Sequence, residues 1–147
     1  MDAIDANILR ELQDDGRVTN LELAGRVGLS PSACLRRVQA LEAAGVIKGY
    51  RAILDRRQLG AGMTVFVMVG LSGQLQRDSL AFERAMANAP EVLECHNITG
   101  SVEYLLRVEV SDLAAYKHFH SDVLGTLNLV RSITSHVCLG SSKDPRS

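Results

Sequence analysis

Two arginines and several small polar residues share a short stretch, residues 30–42, that has the pattern of a helix with a marked start. Ser30 suits the N-cap, where its hydroxyl can accept a hydrogen bond from a backbone N–H. Pro31 suits the first helical position because it has no N–H to leave unpaired. At 3.6 residues per turn, one face carries the apolar residues Leu35, Val38 and Leu41. The opposite face is short, polar and cationic, with Ser32, Ala33, Arg36 and Ala40, flanked by Arg37 and Gln39.

Such a face can enter the major groove of DNA. Small side chains permit a close approach, and an arginine can pair with a guanine edge or a phosphate. The alternative is an ordinary solvated helix, and the segment before it argues against that alternative. Thr19 and Glu22 match a capping box, which predicts a second helix running through Arg26. Gly28 then permits a left-handed turn, so the sequence predicts a helix-turn-helix.

Further elements position this pair of helices. A first helix is predicted over residues 3–14, with Ile4, Ile8 and Leu12 at helical spacing and Leu9 and Leu23 as core neighbours. A strand is predicted over residues 46–54, as a wing beside the reading helix, where Lys48 and Arg51 would meet phosphates. The predicted DNA-binding residues are Arg26, Ser30, Ser32, Ala33, Arg36, Arg37, Gln39, Lys48 and Arg51.

The charge distribution supports this interpretation. The chain has 147 residues and a formal net charge of −1. Residues 17–57 contain eight basic and three acidic side chains, a balance of +5, which leaves −6 for the rest. A basic segment inside an acidic protein is typical of a DNA-binding module. A solvated charged surface is the alternative.

Other classes of protein find little support. Three cysteines in a chain without a signal peptide predict a cytoplasmic protein without disulfides. His118 and His120 point in different directions on a helix, and Cys95 and His96 face opposite sides of a strand, so no metal or cofactor is predicted. No catalytic signature occurs, so the protein is predicted not to be an enzyme. The longest apolar run, Met63–Leu71, is too short to span a membrane.

The second half of the chain alternates between strands and helices. Strands are predicted over residues 63–71, 92–98, 104–110 and 130–139, with helices over 79–88 and after a cap at Ser111 or Asp112. This β-α-β-β-α-β order predicts an α+β, ferredoxin-like domain whose helices cover one face of the sheet. The other face stays open and requires a partner. In the helix that begins at Ser111 or Asp112, the residues predicted to face inward are Leu113, Tyr116, Phe119 and Val123. Residues 140–147 are predicted to be frayed.

Together these stretches resemble the Lrp/AsnC family of bacterial and archaeal transcription regulators, also called feast/famine regulators. The resemblance covers essentially the whole chain. It implies a winged helix-turn-helix joined to a ferredoxin-like effector domain, with dimers that pair through the sheet and often form octamers. It also implies small effectors, usually amino acids, bound between dimers near the loop that joins the second and third strands. The matching stretches are Ile4-Asp5 with Ile8-Leu9, Gly28-Leu29-Ser30-Pro31 with Cys34-Leu35-Arg36-Arg37, Leu41-Glu42 with Gly45-Val46-Ile47, and Glu94-Cys95-His96 with Thr99-Gly100 and Tyr104.

The resemblance also assigns an effector site. Glycine in this loop would let backbone amides approach a ligand carboxylate closely. The family usually has Asp where Glu103 stands, so the carboxylate here reaches one methylene further. A plain β-hairpin turn is the alternative interpretation. The assigned residues are Thr99, Gly100, Ser101, Val102, Glu103 and Tyr104 in the loop, with His136 and Cys138 from the last strand.

We therefore predict a DNA-binding domain over residues 1–54, a hinge over 55–62, and an effector-binding and oligomerisation domain over 63–147. The predicted function is a transcription regulator that binds double-stranded DNA and responds to a small effector. One alternative is an architectural DNA-binding protein without a ligand, against which the loop at residues 99–104 argues. Another is a regulatory subunit that binds amino acids without touching DNA, against which the basic, capped helices argue.

Overall fold

The structure is a computed structural model that describes residues 1–73 and 75–146. The chain divides into two compact units, Met1–Ile53 and Leu54–Ser147. The first unit consists of helices, and the second contains a four-stranded sheet with helices. Each unit has its own hydrophobic core.

The first unit has three helices, α1 (Ala3–Asp14), α2 (Asn20–Val27) and α3 (Pro31–Ala43). The predicted caps of α2 and α3 are confirmed: Thr19 and Glu22 form a capping box, and the Ser30 hydroxyl accepts from the backbone N–H of Ala33. Gly28 ends α2 at φ 72°, a conformation that costs glycine little. The core that joins the helices consists of Ile8, Leu23, Ala24, Cys34 and Leu41.

Two predictions for this unit are wrong. The inner face of α3 is centred on Cys34, which is fully buried, whereas Leu35 is 45% exposed. A helix can bury only about one third of its surface against two neighbours, and here the buried side carries Cys34, which packs in one core with Ile8 of α1 and Leu23 of α2. The strand over residues 46–54 is also absent, since residues 48–55 have no regular structure and no described strand lies beside them. A lone strand leaves its backbone groups unpaired.

The second unit contains strands β1 (Met63–Leu71), β2 (Val92–Asn97), β3 (Tyr104–Val110) and β4 (Val130–Val137). They form one antiparallel sheet in the order β2-β3-β1-β4. Helices α4 (Gln76–Ala87) and α5 (Leu113–His118) connect them, and α5 continues as a π-helical segment, Phe119–Leu124. The predicted β-α-β-β-α-β order is confirmed.

Strand alternation sorts the sheet into two faces. Val65, Val67 and Val69 of β1 are fully buried, and they pack in one core with Phe82 of α4 and Phe119. The residues between them, such as Phe66 and Met68, point to the other face and are half-buried. We call this second surface the open face.

The helix after β3 differs in part from its prediction. Asp112 provides the cap, accepting from the backbone N–H of Ala115. Leu113 is 67% exposed rather than inward, and Leu124 is fully buried. The π-helical segment explains the change at its end, because bonds from residue i to i+5 place Phe119 and Leu124 on the same side. In the first turn, Leu113 lies at the solvent end of the helix.

The C-terminal tail is also more ordered than predicted. Asp144 accepts from the Arg107 guanidinium at 2.6 Å, and the Nε of Arg146 lies 2.7 Å from a Glu94 carboxylate oxygen. Arg107 belongs to the open face, where its guanidinium lies over the ring of Phe66, 5.7 Å from the ring centroid. The prediction that residues 140–147 fray is therefore wrong for residues 144–146, and residue 147 lies outside the described part of the chain.

Candidate functional site

The helix-turn-helix is fixed by a contact between the starts of its two helices. The side-chain amide of Asn20, at the start of α2, donates to the carbonyl of Pro31, at the start of α3, at 2.8 Å. The backbone N–H of Gly28 donates to the carbonyl of Ala24, which closes α2 before the turn. These contacts set α3 at a defined angle and leave its outer face to solvent.

That outer face carries most of the predicted DNA-binding residues of α3. Ser32, Arg36 and Gln39 are exposed, and Ala33 is half-buried. Ser30 is exposed, but its hydroxyl serves as the helix cap. Arg36 forms no ion pair with any residue that the structure describes. Leu35, which the sequence placed in the core, stands beside Arg36 and could contact a thymine methyl group.

Two other predicted DNA-binding arginines are occupied inside the unit. Arg26 donates to a carboxylate oxygen of Glu11 at 3.2 Å. Arg37 donates from Nη1 to Asp2 at 2.7 Å and to Asp5 at 2.9 Å. Hydrogen bonds to these two carboxylates raise the pKa of Arg37. The Asp5 N–H and then the guanidinium lower the pKa of Asp2.

Lys48 and Arg51 lie on the irregular segment that follows α3, and both are exposed. The segment is held at two points. The backbone N–H of Ile47 donates to the carbonyl of Leu41 at 3.2 Å, and the Tyr50 hydroxyl donates to Glu42 at 2.9 Å. The two cations are therefore attached to the C-terminal end of α3 even though the predicted strand does not form.

The region assigned as a hinge, residues 55–62, forms a turn. The Asp55 carboxylate accepts from the backbone N–H of Arg57 and from the side chain of Gln58. Arg56 donates from Nε to the buried Glu109 of β3 at 2.7 Å. The start of the second unit is thus attached to the edge of the open face.

The loop between β2 and β3 has its polar groups outward. Thr99, Gly100 and Ser101 are exposed and Val102 is half-buried. Gly100 has φ 117°, which is unfavourable for a residue with a side chain, and a Cβ built on it meets no described atom within 4 Å. A backbone N–H from Ile98 to the Glu103 carbonyl, at 2.8 Å, closes the loop.

The two residues that end the loop turn inward. The Glu103 carboxylate accepts from the backbone N–H of Leu71 at 2.7 Å, beside the irregularity in the pairing of β1 and β4. Tyr104 is 1% exposed, and its hydroxyl donates to Glu83 of α4 at 2.9 Å. Burial and then the nearby Glu83 raise the pKa of Tyr104. The Tyr104 side chain is therefore part of the core rather than of a surface site.

A single chain does not bring His136 and Cys138 to this loop. His136 pairs with Phe66 in the middle of β1, and the backbone N–H of Cys138 donates to Thr64 near the start of β1. Tyr104, at the end of the loop, pairs with Val69 toward the other end of β1. Three residues along a strand span about 10 Å, so the two groups lie at different ends of the sheet.

Sequence reasoning missed several residues that shape these sites. Asp2 and Asp5 hold Arg37, and their spacing of three residues before an apolar run is a capping-box signal that could have been read. Arg107 and Asp144 join the tail to the open face, and nothing in the sequence pattern pairs two residues so far apart. Burial, with a smaller effect from Glu83, raises the pKa of Cys95 to about 11, so this thiol is not activated.

Comparison with known proteins agrees with this two-unit arrangement. A family model described as the Lrp/AsnC ligand binding domain matches residues 64–147, and one described as winged helix-turn-helix DNA-binding matches residues 1–48. The leucine-responsive regulatory protein of Rhizobium meliloti is 44% identical over 144 residues, covering 98% of this chain and 92% of its own. This chain belongs to the Lrp/AsnC family. It is a DNA-binding transcription regulator with a ligand-binding domain.

Solved structures of Lrp/AsnC regulators have the same fold. A transcriptional regulator from Neisseria meningitidis, solved as an L-Met complex, is 37% identical with a TM-score of 0.94, covering 98% of this chain and 93% of its own. E. coli AsnC is 25% identical with a TM-score of 0.89, covering 98% and 95%. In the described residues, no helix is long and apolar enough to cross a membrane, and no three potential metal ligands come together.

Proposed function

We propose that this regulator reads DNA with the outer face of α3 and changes its assembly or DNA affinity when a free amino acid binds to the second unit. The observation that carries the DNA-reading part is the exposed Arg36, which has no ion-pair partner among the described residues and stands on a helix with a fixed start. An arginine in this setting can pair with the O6 and N7 of guanine. Lys48 and Arg51, just beyond α3, supply phosphate contacts that set the register on the duplex.

The amino-acid part rests on the loop at residues 99–103. Its backbone at Gly100 is open and its Ser101 hydroxyl is exposed, so both can donate to a carboxylate. Glu103 uses Oε2 to hold the end of β1, and we assign its Oε1 to the ammonium group of the ligand. The related Neisseria regulator, solved as an L-Met complex, supports an amino acid as the class of effector. Tyr104 acts from the core by fixing the end of the loop.

We further propose a homodimer that can assemble into larger species. The open face exposes parts of Phe66 and Met68. Residues 48–55, which include the exposed Ile53 and Leu54, make no backbone–backbone hydrogen bond with any described residue. A second copy can cover both. His136 and Cys138 from another copy can then approach a loop that they cannot reach in one chain. A protein that works on DNA through α3 is expected in the cytoplasm.

Two experiments test the effector proposal in sequence. A thermal-shift screen over the twenty amino acids identifies the ligand, because one that binds only the native state at a hundredfold excess over its Kd stabilises by about 2.7 kcal/mol. Calorimetric titration of the best compound then compares the parent with Gly100→Val. The matched control is Gly60→Val, since Gly60 also has a positive φ and an open Cβ position but lies outside the loop.

We expect Gly100→Val to lose binding while Gly60→Val retains it, with both folds intact by circular dichroism. Equal affinity in the parent and both variants would place the site elsewhere. Failure of all twenty amino acids to shift the melting temperature would favour an architectural DNA-binding protein. For the assembly, light scattering that finds only a 15.9 kDa species at micromolar concentration would refute the dimer.

A further inference from the structure

We infer that Arg37 is a positioning residue that holds the reading helix against the start of α1, and that it does not contact DNA. This rests on the proposed reading of DNA by α3. Arg36 and Arg37 are adjacent and chemically identical, so a sequence pattern cannot assign them different tasks. The structure separates them, because successive residues on a helix point about 100° apart.

Arg37 lies on the side of α3 that faces α1. Its Nη1 donates to Asp2 Oδ2 at 2.7 Å and to Asp5 Oδ1 at 2.9 Å. The Arg37 side chain is 34% exposed and that of Asp5 only 18%, so this contact is partly shielded from water. Residues 32 to 35 positions apart in sequence are thereby joined, which fixes the direction of α3 relative to α1.

The two carboxylates are themselves held in place. The backbone N–H of Asp5 donates to Asp2 Oδ1 at 2.9 Å, and the backbone N–H of Asp2 donates to Asp5 Oδ2 at 3.3 Å. These reciprocal bonds form a capping box at the start of α1. Arg37 is therefore anchored to a defined helix end rather than to two mobile side chains.

Charge makes the same distinction. Arg37 with its two aspartates carries a formal charge of −1, which does not attract a phosphate. Turning Arg37 toward DNA would leave the two carboxylates close together without their cation, and each would repel the DNA backbone. Arg36 has no ion-pair partner among the described residues, so it breaks no ion pair when it binds a base.

A double-mutant cycle with Arg37→Gln and Asp5→Asn tests the inference in the full-length chain. Asp5→Asn keeps an oxygen for the capping box and removes the charge. The probes are a duplex selected from a random pool by the parent and a random-sequence duplex of equal length. Asp14→Asn, at the far end of α1, removes the same charge without touching Arg37, and Arg36→Gln is the matched arginine control.

If Arg37 positions α3, both single variants lower affinity for the selected duplex by roughly tenfold, and the double variant binds no worse than either, as coupled residues do. The dependence of affinity on salt stays unchanged for Arg37→Gln. Arg36→Gln, which removes a proposed base contact, instead relaxes the preference for the selected over the random duplex. Thermal unfolding of the parent, the two single variants and the double variant, measured without DNA, is expected to show the same coupling between Arg37 and Asp5.

If Arg37 instead contacts DNA, Asp5→Asn tightens binding beyond the effect of Asp14→Asn, because it releases the arginine. If that contact is to a phosphate, Arg37→Gln also lowers the salt slope by about one. Either result overturns the inference. If Arg37→Gln does not fold at the assay temperature, Asp5→Asn still distinguishes the two roles, because it weakens DNA binding if Arg37 positions α3 and tightens it if Arg37 contacts DNA. A parent that binds both duplexes equally would refute DNA reading by α3, and the unfolding cycle would then test the Arg37 contact by itself.

Discussion

The two units differ in how far their charged side chains are buried. In the first unit, Arg36, Lys48 and Arg51 are exposed without ion-pair partners among the described residues, on a small core. In the second unit, Arg107 and Glu109 are largely buried and are joined to Asp144 and Arg56. The proposed DNA surface needs exposed cations on α3 and just beyond it, which a single chain can provide.

The same difference explains why one predicted site is gathered in a single chain and the other is not. Most of the predicted DNA-binding residues lie on α3 or just beyond it, so local helix geometry decides which of them point outward. The predicted effector residues lie on the loop between β2 and β3 and on β4, at different ends of the sheet. We therefore expect substitutions of the exposed cations Arg36, Lys48 and Arg51 to change DNA affinity without changing stability. Substitutions in the second unit should change stability, ligand response or both.

The largest expected effect is in the core of the second unit. Phe82 is fully buried and packs against Tyr104, with ring centroids 4.6 Å apart and the ring planes tilted by 40°. Phe82→Ala is expected to lower the free energy of unfolding by about 3–5 kcal/mol, because it removes apolar contacts and leaves a cavity. Urea unfolding followed by tyrosine fluorescence measures the change. Leu80→Ala, on the exposed side of the same helix, is the control, and an equal cost for both would contradict the assigned core.

The next effect concerns DNA rather than stability. Arg36→Ala is expected to weaken binding to the selected duplex by about 1–3 kcal/mol and to relax sequence preference, with unfolding unchanged. Lys48→Ala should instead weaken binding to all duplexes alike and lower the salt slope by about one. Fluorescence anisotropy on selected and random duplexes distinguishes the two. Parent-like binding of both duplexes by Arg36→Ala would show that α3 does not read bases.

Much of the first unit could be predicted from sequence, because its signals are local. The caps at Thr19 and Ser30 follow from residue types within one turn, and Pro31 reinforces the second. The rotation that buries Cys34 and exposes Leu35 depends on how α3 packs against Ile8 of α1 and Leu23 of α2, which periodicity does not encode.

In the second unit, contacts between residues far apart in sequence could not be predicted. The four strands follow from β-branched runs, but the inward turn of Glu103 depends on an unpaired N–H at Leu71, created by an irregularity in the sheet. The ion pair between Arg107 and Asp144 crosses 37 residues of sequence. No local pattern predicts such contacts.

Glu103 offers a smaller effect that separates structure from ligand binding. Glu103→Ala leaves the Leu71 N–H without its acceptor in a half-buried position, and we expect a loss of about 1–2 kcal/mol in stability. Glu103→Gln keeps an oxygen for this hydrogen bond and should restore most of the stability. It should still weaken the binding of the amino acid, because it removes the charge of the carboxylate. Chemical unfolding without ligand gives the first quantity and calorimetry the second. Equal stability of all three proteins would show that the Leu71 contact contributes nothing.

The smallest effect is a dependence of stability on pH. The Arg107 guanidinium and then the backbone N–H of Arg146 lower the pKa of Asp144 from its ordinary value of 3.8. The stabilisation is therefore complete above that ordinary value and is lost as the pH falls through the lowered pKa of the folded state. The difference in unfolding free energy between the parent and Asp144→Asn should be constant near pH 7 and shrink in acid. A difference that does not change with pH would contradict the ion pair.

The central claim is that the first unit binds DNA and the second unit binds the effector. The most direct test of this claim is a DNA titration with and without the amino acid found by the screen. Fluorescence anisotropy of a labelled selected duplex is measured with the parent and with Gly100→Val. We expect the amino acid to shift the DNA affinity of the parent, and Gly100→Val to bind DNA as the parent does without ligand but to ignore the amino acid. An equal shift in both proteins would contradict an effector site at the Gly100 loop. Loss of ligand-free DNA binding by a folded Gly100→Val would contradict the separation of DNA binding and effector binding between the two units.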